Sequence, residues 1–157
     1  MTRSGIGYDS HRLEAGRKLM IGGVHVPFDK GPVGHSDGDV LAHALCDALL
    51  GAASLGDIGT HFPDTDSKWK GANSLVFLEH TRKLLDEKKL SIVHLDAVVI
   101  CERPKLGPHF PAMRAALAKS LGITLGQINL KAKTNEGLGE IGRGEAIAAH
   151  TIATLEG

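Results

Sequence analysis

The sequence is short of aromatic residues, of cysteine and of excess charge, and each shortage removes a class of function. Of 157 residues only four are Phe, one Trp and one Tyr, too few for the stacking platforms on which single-stranded nucleic acids lie. Eighteen basic side chains are matched by eighteen acidic ones, so no overall field draws the chain to nucleic acid or to an anionic membrane. Zero net charge also removes repulsion between copies and so favours self-association. The two cysteines, Cys46 and Cys101, form neither a C-x-x-C pair nor a disulfide framework, which points to a reducing compartment. The opening residues MTRSGIGYDS hold no apolar stretch of the signal-peptide kind, and no run approaches the length of a membrane span. The expected location is the cytoplasm.

What the chain does have is an ordinary globular balance, 42% hydrophobic and 23% charged, with twenty glycines and nine histidines as the unusual counts. No linker, repeat or low-complexity tract divides it, so residues 1–157 are expected to form one domain with its own core. Glycine lets backbone approach a ligand closely, and histidine binds metals and carries protons.

The pattern along the chain predicts a strand over SGIGYDSH (4–11) and a hairpin turning at Gly22-Gly23 in KLMIGGVHVPF. Helices are predicted over 39–54, with Asp39 as N-cap and Gly56 beyond the end, and over 73–89, where Leu75, Leu78, Leu84 and Leu85 recur. A third helix is predicted over 108–122, starting near Pro111 and stopped by Gly122. Residues 91–102 and 128–134 read as strands. Residues 145–156 are ambiguous, because alanine suits a helix while Ile and Thr suit a strand. Runs of strands mixed with helices place the chain in the α+β class.

Two local patterns carry chemistry. In the first strand, Asp9 and His11 stand two residues apart and therefore on one face. In the 39–54 helix, Asp39, His43 and Asp47 recur at i, i+4 and i+8 on an otherwise apolar surface. That row is either a wet helix side or the wall of a site. Solvated faces carry Lys, Glu, Gln or Arg, which this helix lacks, and buried charge must be paired or metal-bound. Asp9, His11 and His43 together would offer three N/O ligands without a thiolate, the donor set of a zinc site with one open position. Asp-x-His alone is a weak motif, and surface decoration is its plain alternative.

Four loops could seat phosphate. GPVGHSDGD (31–39) leads into the first helix, which places His35 and Ser36 beside the positive end of its dipole. LGDIGTHFPDTD (55–66) carries Asp57, Asp64 and Asp66, and CERPKLGPH (101–109) is a kinked connection. KAKTNEGLGEIGRGE (131–145) combines Lys131, Lys133, Thr134, Glu136 and Arg143 with glycines. Each is equally explained as a turn. His25, His61, His80, His94 and His109 receive no role.

Taken in order, GIGYDSHRL, IGGVHVPFDKG, HSDGDVLAHALCDALLGAASLGDIGTHFPDTD, PHFPAMR, NLKAKTNEGLG and GRGEAIA resemble the 2-C-methyl-D-erythritol 2,4-cyclodiphosphate synthase family of the non-mevalonate isoprenoid pathway. The likeness covers essentially the whole chain. It implies a single-domain α+β fold, a mixed sheet with helices on one face, assembled as a homotrimer with active sites between subunits. It implies zinc on Asp9, His11 and His43, and a second divalent cation, Mg2+ or Mn2+, on Glu136. It implies His35 and Thr134 beside the reacting phosphates. Ser36, Asp57, Ile58, Gly59, Phe62, Pro63, Asp64, Thr65 and Asp66 would line the methylerythritol and ribose region. The loop Cys101, Glu102, Arg103, Pro104, Lys105, Leu106 and Gly107 would grip cytosine by its backbone. Lys133, Thr134, Asn135 and Glu136 would hold the diphosphate, and Arg143 would meet an anion. Asp39 and Asp47 are expected to stand behind the metal, orienting His43 or accepting a substrate hydroxyl.

The implied reaction converts 4-diphosphocytidyl-2-C-methyl-D-erythritol 2-phosphate into the cyclic diphosphate with release of CMP, a phosphorus–oxygen lyase step. The partners implied are that cytidine diphosphate substrate and two further copies of the chain, with neither nucleic acid nor membrane. Three positions depart from the family pattern. Lys133 stands where a small hydroxyl residue is usual, Glu140 replaces an aromatic residue, and His150 replaces an acidic one. The last two argue against an isoprenoid diphosphate bound on the trimer axis. A zinc-dependent phosphate-ester hydrolase and a non-catalytic nucleotide-binding trimer are the competing readings.

Overall fold

Glycines at alternate positions of the first strand set the distance between the two layers of this protein. The computed structural model describes all residues, Met1 to Gly157. In chain order its main elements are β1 (Thr2–Ala15), β2 (Leu19–Ile21), β3 (Val24–Val26), β4 (Lys30–Pro32), α1 (Val40–Ala52), α2 (Ile58–His61), α3 (Leu75–Glu87), β5 (Ser91–Ile100), α4 (Phe110–Leu121), β6 (Ile128–Lys133), α5 (Gly139–Gly142) and β7 (Ala146–Glu156). Five strands form one sheet in the order β4-β1-β7-β5-β6, and β2 pairs with β3 in a separate hairpin. Only β5 and β6 run parallel; the other pairs are antiparallel, with Thr2 opposite Glu156 and Ser91 opposite the same Glu156. The sheet is mixed and the fold is single-domain α+β, as the order of elements predicts.

The ambiguous C-terminal stretch is a strand, and a central one. Ile147, Ala149, Thr151, Ala153 and Leu155 point into the core while His150 and Ile152 point away from it. The period is two, and pairing on both edges by β1 and β5 outweighs the helical propensity of alanine. The expected loop over 31–39 opens instead with β4, which pairs Leu13 with Pro32 at the sheet edge. Two loops expected to lack structure contain the single turns α2 and α5.

α1 lies directly on β1 and β7. A Cβ on Gly5 would sit 2.1 Å from the Ala48 carbonyl oxygen, and one on Gly7 would sit 1.8 Å from that of Ala44. No side chain fits there, so the helix descends onto bare backbone. Thr151 Oγ1 donates to the Ala44 carbonyl at 2.7 Å and pins the contact from β7. α3 packs on α1 and α4, and α4 on β6, so the helices share one face of the sheet. The opposite face carries Ile6, Tyr8 and Ile152 exposed, Ile6 at 81%.

The N-terminus of α1 is anchored by Asp39, wholly buried, whose carboxylate accepts from Ala42 N at 3.0 Å. The same carboxylate accepts from Gly22 N and Gly23 N at 2.8 and 2.7 Å, in the β2–β3 turn where φ is +58° and +76°. Two consecutive left-handed residues close a two-residue hairpin, which is why glycine stands at both.

Candidate active site

The close descent of α1 onto β1 brings His43 over the face of β1 that carries Asp9 and His11. Asp9 Oδ2 lies 2.9 Å from His11 Nε2 and 3.1 Å from His43 Nδ1, and the two nitrogens are 3.3 Å apart. Donor atoms bound at about 2.0–2.1 Å around a tetrahedral zinc ion are separated by about 3.3 Å. No other group of three His, Cys, Asp or Glu side chains converges in this way. The triad is a potential metal site, and its donor set and spacing fit a zinc-sized ion.

Both rings are oriented from behind. His11 Nδ1 lies 3.0 Å from the Val33 carbonyl, which can only accept, so the proton sits on Nδ1 and the lone pair of Nε2 faces Asp9. His43 Nε2 lies 2.7 Å from Ser74 Oγ and 3.0 Å from Ser36 Oγ. Burial pushes the Asp9 carboxyl up, but in the metal-free site a proton taken up on the facing ring nitrogens bonds to it, and those bonds and charges outweigh burial and bring the group down to about 2. Burial pushes His11 down, and the bond and charge of Asp9 overcome that, leaving it above its ordinary value.

The triad opens onto a cleft of about 610 Å³ lined by His11, His35, Ser36, His43, Ile58, Gly59, Phe62, Pro63, Asp64 and Thr65, with Trp69 and Phe77 as an apolar back wall. Phe62 stacks on Phe77 at 4.5 Å, and Trp69 meets Phe62 edge-on at 5.1 Å. His35 Nε2 donates to the Asp66 carbonyl at 3.0 Å, tying the loop before α1 to the FPDTD turn. Asp57 caps α2 through Thr60 N at 2.9 Å, and the Asp66 carboxylate caps the next turn through Lys68 N at 3.0 Å. Both support the cleft from outside it.

The remaining expected site residues gather elsewhere. Cys101, Glu102, Pro104, Lys105, Leu106 and Gly107 line a second hollow of about 280 Å³ with Lys133 and Thr134. It shares no lining residue with the metal cleft. Glu102 Oε1 accepts from Asn135 N at 2.6 Å and Gly137 N at 3.4 Å, and so joins this loop to the one bearing Thr134 and Glu136. Glu136 adopts φ +53°, a conformation that residues other than glycine rarely take and that carboxylate helps hold. Arg103 and Arg143 lie at neither hollow but in a third, with Lys30 and Phe28, where Arg143 pairs with Glu145 at 3.0 Å.

The polar row on α1 performs three different tasks. Only His43 reaches the metal triad. The expectation that Asp39 orients His43 or meets substrate is corrected: its carboxylate is enclosed by three backbone N–H groups and closes the hairpin. Asp47 accepts from Ile58 N at 2.7 Å through Oδ1 and so holds the start of α2 at the cleft wall, near enough to His43 and Asp9 to feel their charge. Sequence reasoning missed Asp37, Ser74, Trp69 and Phe77. Asp37 and Ser74 read locally as turn and cap residues, and Phe77 as one more apolar helix position. His61 donates to the Leu55 carbonyl at 2.8 Å, and His25, His80, His94 and His109 lie outside both hollows. Burial pushes the Cys46 and Cys101 thiols up to about 12 and about 11, which disfavours the reactive thiolate form.

The YgbB family profile matches residues 2–156. The chain belongs to the YgbB family. The 2-C-methyl-D-erythritol 2,4-cyclodiphosphate synthase of Desulfosudis oleivorans is 56% identical over 98% of this chain and 91% of its own length. Among solved structures, a synthase of that name in its CDP-bound form has a TM-score of 0.90 at 42% identity, with 98% of this chain and 100% of that one covered. The bifunctional IspDF from Campylobacter jejuni matches 99% of this chain at TM-score 0.90 and 40% identity, and the match spans 42% of that longer protein. YgbB membership accounts for the α+β architecture and for the resemblance along the whole sequence. No helix is long and apolar enough to cross a membrane.

Proposed function

We propose that this chain is the CMP-releasing cyclase of isoprenoid precursor synthesis, converting 4-diphosphocytidyl-2-C-methyl-D-erythritol 2-phosphate to 2-C-methyl-D-erythritol 2,4-cyclodiphosphate. The observation that carries this reading is the convergence of Asp9, His11 and His43 beside a cleft lined by His35 and Ser36 and by the rings of Phe62, Trp69 and Phe77. The substrate's 2-phosphate attacks the β-phosphorus, and the bond from that phosphorus to the CMP oxygen breaks. A phosphate monoester is already ionised at neutral pH, so the nucleophile needs no strong base. The protein's task is alignment and cancellation of charge.

Zinc held by Asp9, His11 and His43 would supply Lewis-acid polarisation of a phosphate oxygen. Ser36 and the backbone before α1 bind the anion at the positive end of the helix. Phe62, Trp69 and Phe77 receive the carbon skeleton and exclude water from it. Thr134 Oγ1 accepts from Glu136 N at 3.3 Å, which turns its own O–H outward to donate to a phosphate oxygen. Glu136 offers its exposed carboxylate to a second divalent cation, Mg2+ or Mn2+. The 101–107 loop holds cytosine through backbone groups.

The two hollows of one chain share no lining residue, and a homotrimer would bring one of each together. The exposed sheet face with Ile6, Tyr8 and Ile152 is the surface that copies would bury against one another, setting the metal cleft of one beside the Thr134 loop of the next. Free buried thiols suit assembly in the cytoplasm. Replacing Ile6 with Glu should yield monomers by analytical ultracentrifugation and abolish turnover while each monomer still holds its zinc.

Phosphorus NMR of purified protein with substrate, zinc and magnesium tests the reaction. Cyclic diphosphate and CMP are expected. Open-chain phosphates would establish a hydrolase instead, and unchanged substrate a binding protein.

A further inference from the structure

Ser74 stands at the N-cap position of α3, where a serine hydroxyl ordinarily accepts from the backbone of the first turn. Here it makes no capping bond; Asn73 Oδ1 takes that place, accepting from Leu75 N at 3.0 Å. The Ser74 side chain, wholly buried, turns instead towards the metal triad. Its hydroxyl donates to Asp37 Oδ1, and its backbone N–H donates to Asp37 Oδ2 at 2.9 Å. Its oxygen lies 2.7 Å from His43 Nε2.

We propose that Asp37 and Ser74 form a positioning relay that fixes the His43 tautomer and ring angle for metal binding through Nδ1. The directions follow from the chemistry of the three groups. Carboxylate oxygens only accept, so the Ser74 hydroxyl proton points to Asp37. What Ser74 then offers His43 is a lone pair, and Nε2 must carry the proton that meets it. A neutral imidazole with a proton on Nε2 has its lone pair on Nδ1, the atom 3.1 Å from Asp9 Oδ2 and 3.3 Å from His11 Nε2. Asp37 is itself oriented by Asp39 N, which donates to Oδ1 at 3.1 Å at the entrance to α1. The relay thus joins the turn before α1, the start of α3 and the metal ligand on α1. Ser36 Oγ, 3.0 Å from the same nitrogen and 3.4 Å from Ser74 Oγ, is a second and more distant acceptor.

The relay rests on the metal reading of Asp9, His11 and His43, and its test separates the two. Zinc affinity of the full-length wild type, Ser74→Ala and Asn73→Ala is measured by chelator competition, beside thermal unfolding of the metal-free proteins. Loss of a hydrogen-bond partner behind a metal-bound histidine lowers affinity by about 10- to 100-fold. Ser74→Ala should show a loss of that size with one zinc still bound at saturation. Asn73→Ala, which removes the true cap of α3, should lower Tm and leave zinc affinity unchanged. The cobalt-loaded Ser74→Ala protein should also show an altered ligand-field spectrum. A Kd within threefold of wild type for Ser74→Ala, or an equal loss in Asn73→Ala, overturns the relay and leaves the site intact. A wild type that binds no zinc overturns both. Should Ser74→Ala fail to fold, Asp37→Asn, which weakens the same chain of bonds, is read by the same criteria.

Discussion

His11 and His43 present unlike nitrogens to one point: Nε2 of the strand residue lies 3.3 Å from Nδ1 of the helix residue, with Asp9 Oδ2 about equally near to both. The difference follows from what stands behind each ring, a backbone carbonyl for His11 and a hydroxyl for His43. Three donors from two elements have no substitute in this chain. His43→Ala should therefore remove bound zinc, read by metal analysis of protein purified without chelator. Cyclisation should fall by roughly 10³-fold, the scale of several kcal/mol of lost transition-state stabilisation. Full activity in the metal-free variant would end the metal-assisted reading.

Acidification should release the metal. A proton and a metal ion compete for His11 Nε2, and Asp9 holds that nitrogen's proton more tightly than in free histidine. Zinc affinity should accordingly begin to fall above pH 6.5 and then drop about tenfold per unit for each proton taken up. The metal-free fold behaves in the opposite sense. A raised imidazole contributes stability that is fully present below its unfolded value and is lost as pH climbs through the folded one. Metal-free Tm should decline across neutrality while metal-loaded Tm rises, and scanning calorimetry of both forms from pH 5.5 to 8.5 would reveal a common slope if the idea is wrong.

Glu102 should matter through the loop it holds. Its carboxylate bonds Asn135 N at 2.6 Å, and that segment carries Thr134 and Glu136. A hydrogen bond to a charged group contributes about 1.5–3 kcal/mol. Glu102→Ala should thus lower kcat/KM by roughly ten- to hundredfold, with unchanged zinc content. Glu102→Gln, which keeps one acceptor oxygen, should recover part of the loss.

Gly7→Ala should be among the most damaging single-methyl additions in the chain. The new Cβ would meet the Ala44 carbonyl oxygen at 1.8 Å, a backbone atom that cannot swing aside, and Thr151 Oγ1 at 2.6 Å. Separating α1 from β1 should cost about 3 kcal/mol or more in urea unfolding. It should also weaken zinc binding, since His43 rides on the displaced helix. Gly126→Ala, with open space around the new atom, should stay within about 0.5 kcal/mol of wild type.

Much of the scaffold is legible in the sequence alone. The predicted hairpin turns at Gly22 and Gly23, the predicted caps Asp39 and Gly122 end their helices, and the mixed class is observed. Those features depend on φ, ψ and side-chain period within a few residues of one another. The final strand was not legible, because Ala-rich Ile/Thr sequence satisfies two periods and only pairing with β1 and β5 decides between them. Asp39 caps α1 as its sequence position predicts, but its carboxylate serves the hairpin rather than His43 for a related reason. Its spacing from His43 is a true property of the helix, but Gly22 and Gly23, which claim its oxygens, come from a hairpin no helical period can locate.

By itself the sequence determined that Asp9 and His11 share one face of a strand, that His43 lies on a greasy helix, and that the chain resembles one enzyme family from end to end. The tertiary structure alone decided that these three side chains meet, that Ser74 turns from its helix to His43, and that the four candidate loops are shared among three hollows. The reason is one of range. A dihedral pattern is set by neighbours along the chain, whereas a meeting of strand and helix depends on how closely their backbones pack, which here two glycines allow.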